Sequence, residues 1–304
     1  MAEAIRELDV RRDPDWLDRE EYPFVSNYWR TPGGRMHYID EGEGEPVVMV
    51  HGVPSWSFGY RKLIRRLAPR FRCVAMDHLG FGLSDKPPHW EYRPEALAAN
   101  VAALVDGLGL ERVTLVVHDW GGPLGLAYAI ERPERVARLV LLNTWMWSSA
   151  GDARHELAAR GLASPVYGLL EDRFNFTARA FIPQLMDERA RLTHEAHLQY
   201  LWPLRERDDR RGCWSLIRSM MHSGEWLNEL WARRERLAGI PATIVWGLRD
   251  RAFTRADLER WRGVFSDAEV HALRRVGHFP QEELEGAWWD RLGAFSSRAR
   301  GAAV

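Results

Sequence analysis

The sequence predicts an α/β protein: a mostly parallel, doubly wound sheet interrupted by one helical insertion. Three observations carry that expectation. Short β-rich runs alternate with stretches of helical spacing in both flanks; the middle segment, residues 145–235, is rich in Arg and Trp and lacks a convincing strand; and the strand pattern resumes beyond it. With 304 residues the chain exceeds a typical domain of roughly 100–200, so one large domain with an insertion competes with two separate domains. The simplest division makes 1–144 and 236–304 one α/β core and 145–235 a helical cap.

Taken in order, residues 35–39 and 46–50 read as neighbouring strands joined by the turn Glu41-Gly42-Glu43-Gly44. Residues 72–76, 113–117 and 138–142 are aliphatic or β-branched runs of the kind that parallel sheets bury on both faces. Between them, 94–107 and 123–131 have helical spacing, which supplies the crossovers that parallel strands require. After the insertion, 242–246 and 269–273 are strands separated by the helical 255–262. No internal repeat is visible, and the one biased stretch is the small-residue tail Gly301-Ala302-Ala303.

Composition narrows the function. Hydrophobic residues make up 46% and charged residues 28% of the chain, which excludes a disordered polymer. The 42 basic and 43 acidic side chains leave a net charge of -1 and no sequence-wide field for nucleic acid or an anionic membrane. The N-terminal residues mix acids and bases without an apolar run, and nothing approaches the ~18 residues of a membrane span, so the expectation is a cytoplasmic protein. Cys73 and Cys213 sit in no CxxC pair and read as reduced, packed thiols. No His/Asp/Glu cluster has metal-ligand spacing. Tryptophan is the outlier, with 15 copies, six of them (Trp145, Trp147, Trp202, Trp214, Trp226, Trp231) within the insertion. Most are expected to pack the core and a few to line an apolar pocket.

The chemistry concentrates in three segments. Val116-Val117-His118-Asp119-Trp120-Gly121-Gly122-Pro123 is an apolar strand running into a glycine-flanked turn and a helix, with Asp119 where the hydrolase pattern G-x-S-x-G carries its nucleophile. Read alone, Asp119 is as well explained as a helix N-cap. Val48-Met49-Val50-His51-Gly52-Val53-Pro54 ends a strand in a turn that aims the Val53 backbone N–H at the same point as that of Trp120, as an oxyanion hole does. Trp246-Gly247-Leu248-Arg249-Asp250 ends one strand with a carboxylate, and Arg275-Val276-Gly277-His278-Phe279 follows the next with a histidine. The order Asp119, Asp250, His278 is nucleophile, acid, histidine, as in α/β hydrolases. His118, beside the nucleophile, should point to the opposite side of the turn.

The segments HGVPSWSFGYRKL, MDHLGFGLSDKP, VVHDWGGPLGLAYA, VWGLRD and VGHFPQEE resemble the haloalkane dehalogenase family of the α/β-hydrolase fold, from about Arg35 to Glu283. The resemblance implies cleavage of a carbon–halogen bond through an alkyl ester of Asp119, hydrolysed by water that His278 activates while Asp250 holds the imidazole. It implies no cofactor, a small apolar substrate with water, and a bound halide ion. Epoxide hydrolases and β-lactone decarboxylases share much of this pattern and are the alternatives. Trp120 offers the departing halide an indole N–H. The family commonly takes a second donor from Asn where this chain has Val53, or from a cap tryptophan, so Trp145, Trp147, Trp202, Trp214 and Asn143 are candidates for that role here.

Overall fold

The computed structural model describes residues 13–187 and 191–295; the first 12 residues and the tail Gly301-Ala302-Ala303 lie outside them. Eight strands form one sheet: β1 (Asn27–Thr31), β2 (Gly34–Glu41), β3 (Pro46–Val50), β4 (Arg72–Met76), β5 (Val113–Asp119), β6 (Val136–Thr144), β7 (Ala242–Gly247) and β8 (Glu269–Leu273). Their spatial order is β1-β2-β4-β3-β5-β6-β7-β8, antiparallel at the β1/β2 and β2/β4 pairs and parallel from β4 through β8.

Strand alternation divides the core in two. Along β3, Val48 and Val50 face one apolar cluster while Val47 and Met49 face the other; along β5, Leu115 and Val117 oppose Val116. Both faces are therefore buried, as the unbroken aliphatic runs require. Helices α2 (Pro94–Gly107) and α3 (Gly121–Glu131) cover the first face. Helix α1 (Arg61–Leu67) covers the second through Leu63, Ile64 and Leu67.

Two expectations need correction. Strands β2 and β3 are not neighbours, because β4 lies between them. The β3–α1–β4 crossover returns beside β3, and the turn expected to close a hairpin instead carries the chain over the end of β4. Gly42 (φ +80°) and Gly44 (φ +108°) make that possible: a Cβ on Gly42 would collide with the carbonyls of Ala68 and Phe71. Strand β1 was not foreseen, since Asn-Tyr-Trp-Arg-Thr has no aliphatic run; it pairs with β2 at the sheet edge.

Between β6 and β7 the described residues form helices and no strand. These are α4 (Ala153–Leu162), α5 (Pro165–Phe174), α6 (Ile182–Leu185), α7 (His194–Leu201), α8 (Arg211–His222) and α9 (Gly224–Ala232). Asp152, Ser164 and Thr193 accept backbone N–H bonds as N-caps of α4, α5 and α7, which starts these helices without long apolar runs. At Thr177–Phe181 the chain winds as a single wide π-turn, the kind of irregularity that re-aims side chains. Helix α9 packs against α3, where a crossover between the parallel β6 and β7 must run. After β7 come α10 (Arg255–Arg262), started by a Thr254/Asp257 capping box, and α11 (Pro280–Glu283).

Alanine at Gly42 must hold both a positive φ and a methyl group against two backbone carbonyls. Urea unfolding should show a loss of about 1–3 kcal/mol, the cost of a strained backbone conformation; unchanged stability would mean the β2–β3 turn does not need glycine.

Candidate active site

The three segments singled out in the sequence converge at the C-terminal edge of the sheet. Asp119 is the last residue of β5 and holds φ +50°, a left-handed conformation that turns its side chain out between strand and helix. The turn is tight on every side. A Cβ on Gly121 would strike the Val50 carbonyl, one on Gly122 the Thr144 hydroxyl, and one on Gly52 the Asp119 carboxylate itself. The Thr144 hydroxyl donates to the Asp119 carbonyl at 2.6 Å and fixes the elbow from the side.

The Val53 backbone N–H donates to Asp119 Oδ1 at 2.8 Å, and the Trp120 N–H bonds the same carboxylate. The His51-Gly52-Val53 turn is held by two buried imidazoles. His51 Nδ1 donates to the Gly52 carbonyl at 2.9 Å, so its Nε2 is free to accept the His78 backbone N–H at 3.0 Å, while His78 Nε2 donates to the His51 carbonyl at 3.1 Å. Burial keeps both rings neutral by pushing their pKa values down.

On the other side of Asp119, His278 Nε2 lies 3.7 Å from Oδ2, and its Nδ1 is 2.8 Å from Asp250 Oδ2. Asp250 is fixed in turn: Oδ1 accepts the Ala252 N–H at 2.7 Å and Oδ2 accepts Asn143 Nδ2 at 2.7 Å. Asn143 Oδ1 accepts the Gly247 N–H at 2.8 Å, which settles its orientation. Against the expectation of a donor to the leaving group, its Nδ2 donates to Asp250 and to the Gly247 carbonyl at the end of β7. Its place at the end of a strand, beside the strand that delivers Asp250, was the available signal. His118 is turned away from the cavity, and its Nε2 donates to the His278 carbonyl at 2.7 Å; burial keeps it neutral too.

Burial pushes the Asp119 carboxyl up to about 6, although His278 and the Trp120 and Val53 N–H groups all favour its charged form. For His278 burial acts to lower the pKa, but the Asp250 and Asp119 carboxylates outweigh it and hold the ring above its ordinary value. At neutral pH Asp119 is therefore an ionised carboxylate beside an imidazole that readily takes a proton.

Asp119 lines a cavity of about 490 Å³. Its walls are largely carbon, with Leu162, Phe176, Phe181, Leu185, Ile217 and Phe253 among them, and Leu157 of α4 both lines it and stands exposed at its mouth. Trp120 and Val53 line it beside Asp119. The Trp120 indole N–H makes no hydrogen bond among the described residues, whereas Val53 presents only methyl groups.

The insertion tryptophans do not line the cavity, contrary to expectation. Trp145 stands behind it, edge-on to Trp120 and stacked on Phe253. Trp147 and Trp231 cluster with Trp261 around Arg260, and Trp214 stacks on Tyr167. Phenylalanines brought in around the π-turn take the wall positions, a placement that no local periodicity announces. Among the described residues no group of three or more His, Cys, Asp or Glu could hold a metal ion, and no helix is long and apolar enough to cross a membrane. Cys73 and Cys213 are free and buried.

Fold and site together define an α/β hydrolase with a carboxylate at its elbow. The alpha/beta hydrolase fold family matches residues 45–284. Haloalkane dehalogenase 2 of Mycobacterium bovis is 36% identical over 279 residues, 91% of this chain and 95% of the relative. A cis-3-alkyl-4-alkyloxetan-2-one decarboxylase of Shewanella oneidensis is 34% identical over 86% of this chain and 85% of its own. Among solved structures, the epoxide hydrolase CorEH superposes with a TM-score of 0.77 at 25% identity, covering 91% of this chain and 100% of that one. The chain belongs to the haloalkane dehalogenase family of α/β hydrolases and is an enzyme of this type.

Proposed function

We propose that this enzyme cleaves carbon–halogen bonds of small apolar haloalkanes, with Asp119 as nucleophile, His278 as base and Asp250 as the carboxylate that orients it. The observation that carries the reading is the Asp119 carboxylate itself: one oxygen on a backbone N–H, the other beside an imidazole, in the lining of a carbon-walled cavity. A carboxylate already ionised needs no base to become a nucleophile. Oδ2 attacks the carbon bearing the halogen, the halide leaves with the bonding electrons, and Oδ1 becomes the carbonyl oxygen of an alkyl ester. A water that gives its proton to His278 then attacks the Asp119 carboxyl carbon, and the Val53 and Trp120 N–H groups receive the negative charge developing on Oδ1. Collapse expels the alkoxide, which takes the proton held by His278, and the Asp119 carboxyl left behind ionises again, so alcohol, halide and one proton are the products and no cofactor takes part. Residues 145–235 act as a cap that excludes bulk water, and its last helix, α9, also braces the core.

Two features favour this chemistry over epoxide opening, which needs acids over the cavity. Of the two insertion tyrosines, Tyr200 donates to Glu282 at 2.8 Å, away from the cavity, and the Tyr167 hydroxyl is engaged by Thr177 at 2.8 Å. The halide has one well-suited donor, Trp120, and a hydrocarbon face at Val53. The enzyme acts in the cytoplasm and binds neither nucleic acid nor membrane.

His278→Phe should leave displacement intact and block hydrolysis. Intact-protein mass spectrometry after incubation with a bromoalkane should then show one alkyl group on Asp119, and an unmodified mass for the folded variant would sink covalent catalysis.

The two steps should also titrate apart. A carboxyl raised to about 6 is nucleophilic only above that value, so rapid-quench alkylation should fall as the pH drops through about 6. Hydrolysis needs a neutral His278, whose charged form the Asp250 carboxylate favours while the esterified Asp119 no longer does, so ester breakdown should fall as that ring takes up a proton, over a pH range of its own. Coincident profiles would contradict this assignment.

Val53→Asn adds a second halide donor. A hydrogen bond to a charged group contributes roughly 1.5–3 kcal/mol, and each ~1.36 kcal/mol realised in the transition state is tenfold in rate. Chloride release should rise most because chloride is the poorer leaving group. If neither chloride nor bromide release rises in the folded variant, parallel assays with an epoxide and a β-lactone should find the preferred substrate.

A further inference from the structure

The mechanism uses His278 but not the two acids that follow it on α11, and these acids are held in different ways. Glu282 is an ordinary buried ion pair: Arg61 meets it with both terminal nitrogens at 2.5 and 2.8 Å, and Tyr200 adds its hydroxyl. Glu283 is 3% exposed and has no salt bridge among the described residues; the Arg191 guanidinium donates to its backbone carbonyl, at 3.1 Å. A carboxylate buried without a cation bonded to it is costly, and burial pushes this one up to about 7.

What Glu283 does hold is backbone. Oε1 accepts the N–H of Gly277, the residue before His278, at 2.8 Å, and Oε2 accepts the N–H of Asp187 in the insertion at 2.9 Å. Between these two bonds, the His278 N–H donates to the Leu185 carbonyl at 2.8 Å. The approach is close enough that a Cβ on Gly277 would collide with that carbonyl. Leu185 itself lines the substrate cavity.

We infer that Glu283 is a positioning residue for the catalytic base, fastening the loop that carries His278 to residues 185–187 of the insertion so that Nε2 stays aimed at the Asp119 ester. The inference rests on the assignment of Asp119 and His278 proposed above. It predicts a selective defect, because displacement by Asp119 does not use the imidazole whereas hydrolysis depends on its aim.

The test is single-turnover kinetics with a bromoalkane, following the Asp119 ester by mass spectrometry in the wild type, Glu283→Gln and His278→Phe. Glutamine keeps the length but can accept at one oxygen only, so one of the two N–H groups loses its partner. In Glu283→Gln the ester should form at the wild-type rate and decay at least ~10-fold more slowly, within the roughly 10²-fold that a 1 Å misplacement can cost. Should that variant fail to fold, Glu283→Asp, which keeps the charge and withdraws it by one methylene, must show the same selective slowing of decay. A merely structural role would slow formation and decay together, and that result overturns the inference. Ester that accumulates in His278→Phe but decays at the wild-type rate in Glu283→Gln overturns the positioning role alone. No ester in either variant overturns the covalent reading and the positioning role with it.

Discussion

The requirement that one carboxylate be both buried and ionised shapes the site. Burial, and to a lesser extent the Asp250 charge, moves Asp119 toward its neutral form, and the nearby imidazole with the Trp120 and Val53 N–H groups opposes it. Those N–H groups reach the carboxylate because the backbone is unusually crowded there. Gly52 has no side chain to block the approach, Gly121 and Gly122 let the following helix begin against β3 and β6, and the elbow accepts a positive φ. A larger residue at any of these three glycines would press on the Asp119 carboxylate or on the strand ends that carry the elbow.

The imidazole is held from several directions. Asp250 sets the ring through Nδ1, His118 holds the backbone carbonyl, and Leu185 accepts the backbone N–H. The cavity offers the substrate almost nothing comparable. Recognition there rests on shape and on excluding water, while polar precision is spent on the groups that react.

Much of this was legible in the sequence. Strands β3, β4 and β8 and helices α2 and α10 have the bounds their patterns suggest, because aliphatic runs and helical spacing are local signals. The order Asp119, Asp250, His278 was readable because each lies at or just after the end of a strand. What failed were the non-local relations. A glycine-rich turn after β2 cannot reveal that β4 returns between β2 and β3, and an edge strand of Tyr, Trp and Arg carries no aliphatic signature. Composition suggests that a few of the insertion tryptophans line a pocket while most pack the core, yet packing puts Phe176, Phe181 and Phe253 on the cavity wall, with Trp145 behind it. For Asn143 only its place at a strand end hinted at a bond across 107 positions to Asp250, and although the Glu283 bond to Gly277 is local, its bond to Asp187 spans 96 positions.

The neutral histidines beneath the site set a limit of a different kind. His51, His78 and His118 each have a folded pKa below the ordinary value, so acid unfolding draws up to three protons onto rings that the native state refuses. Each ring by itself removes stability as the pH falls below the unfolded value near 6.5, whereas the raised Asp119 and Glu283 carboxyls, which take up a proton in the folded state first, act in the opposite direction. The protons that these three rings refuse are therefore in play in nearly the same range in which Asp119 loses its charge. In an acidifying surrounding, activity and the fold that supports it are exposed to the same stress.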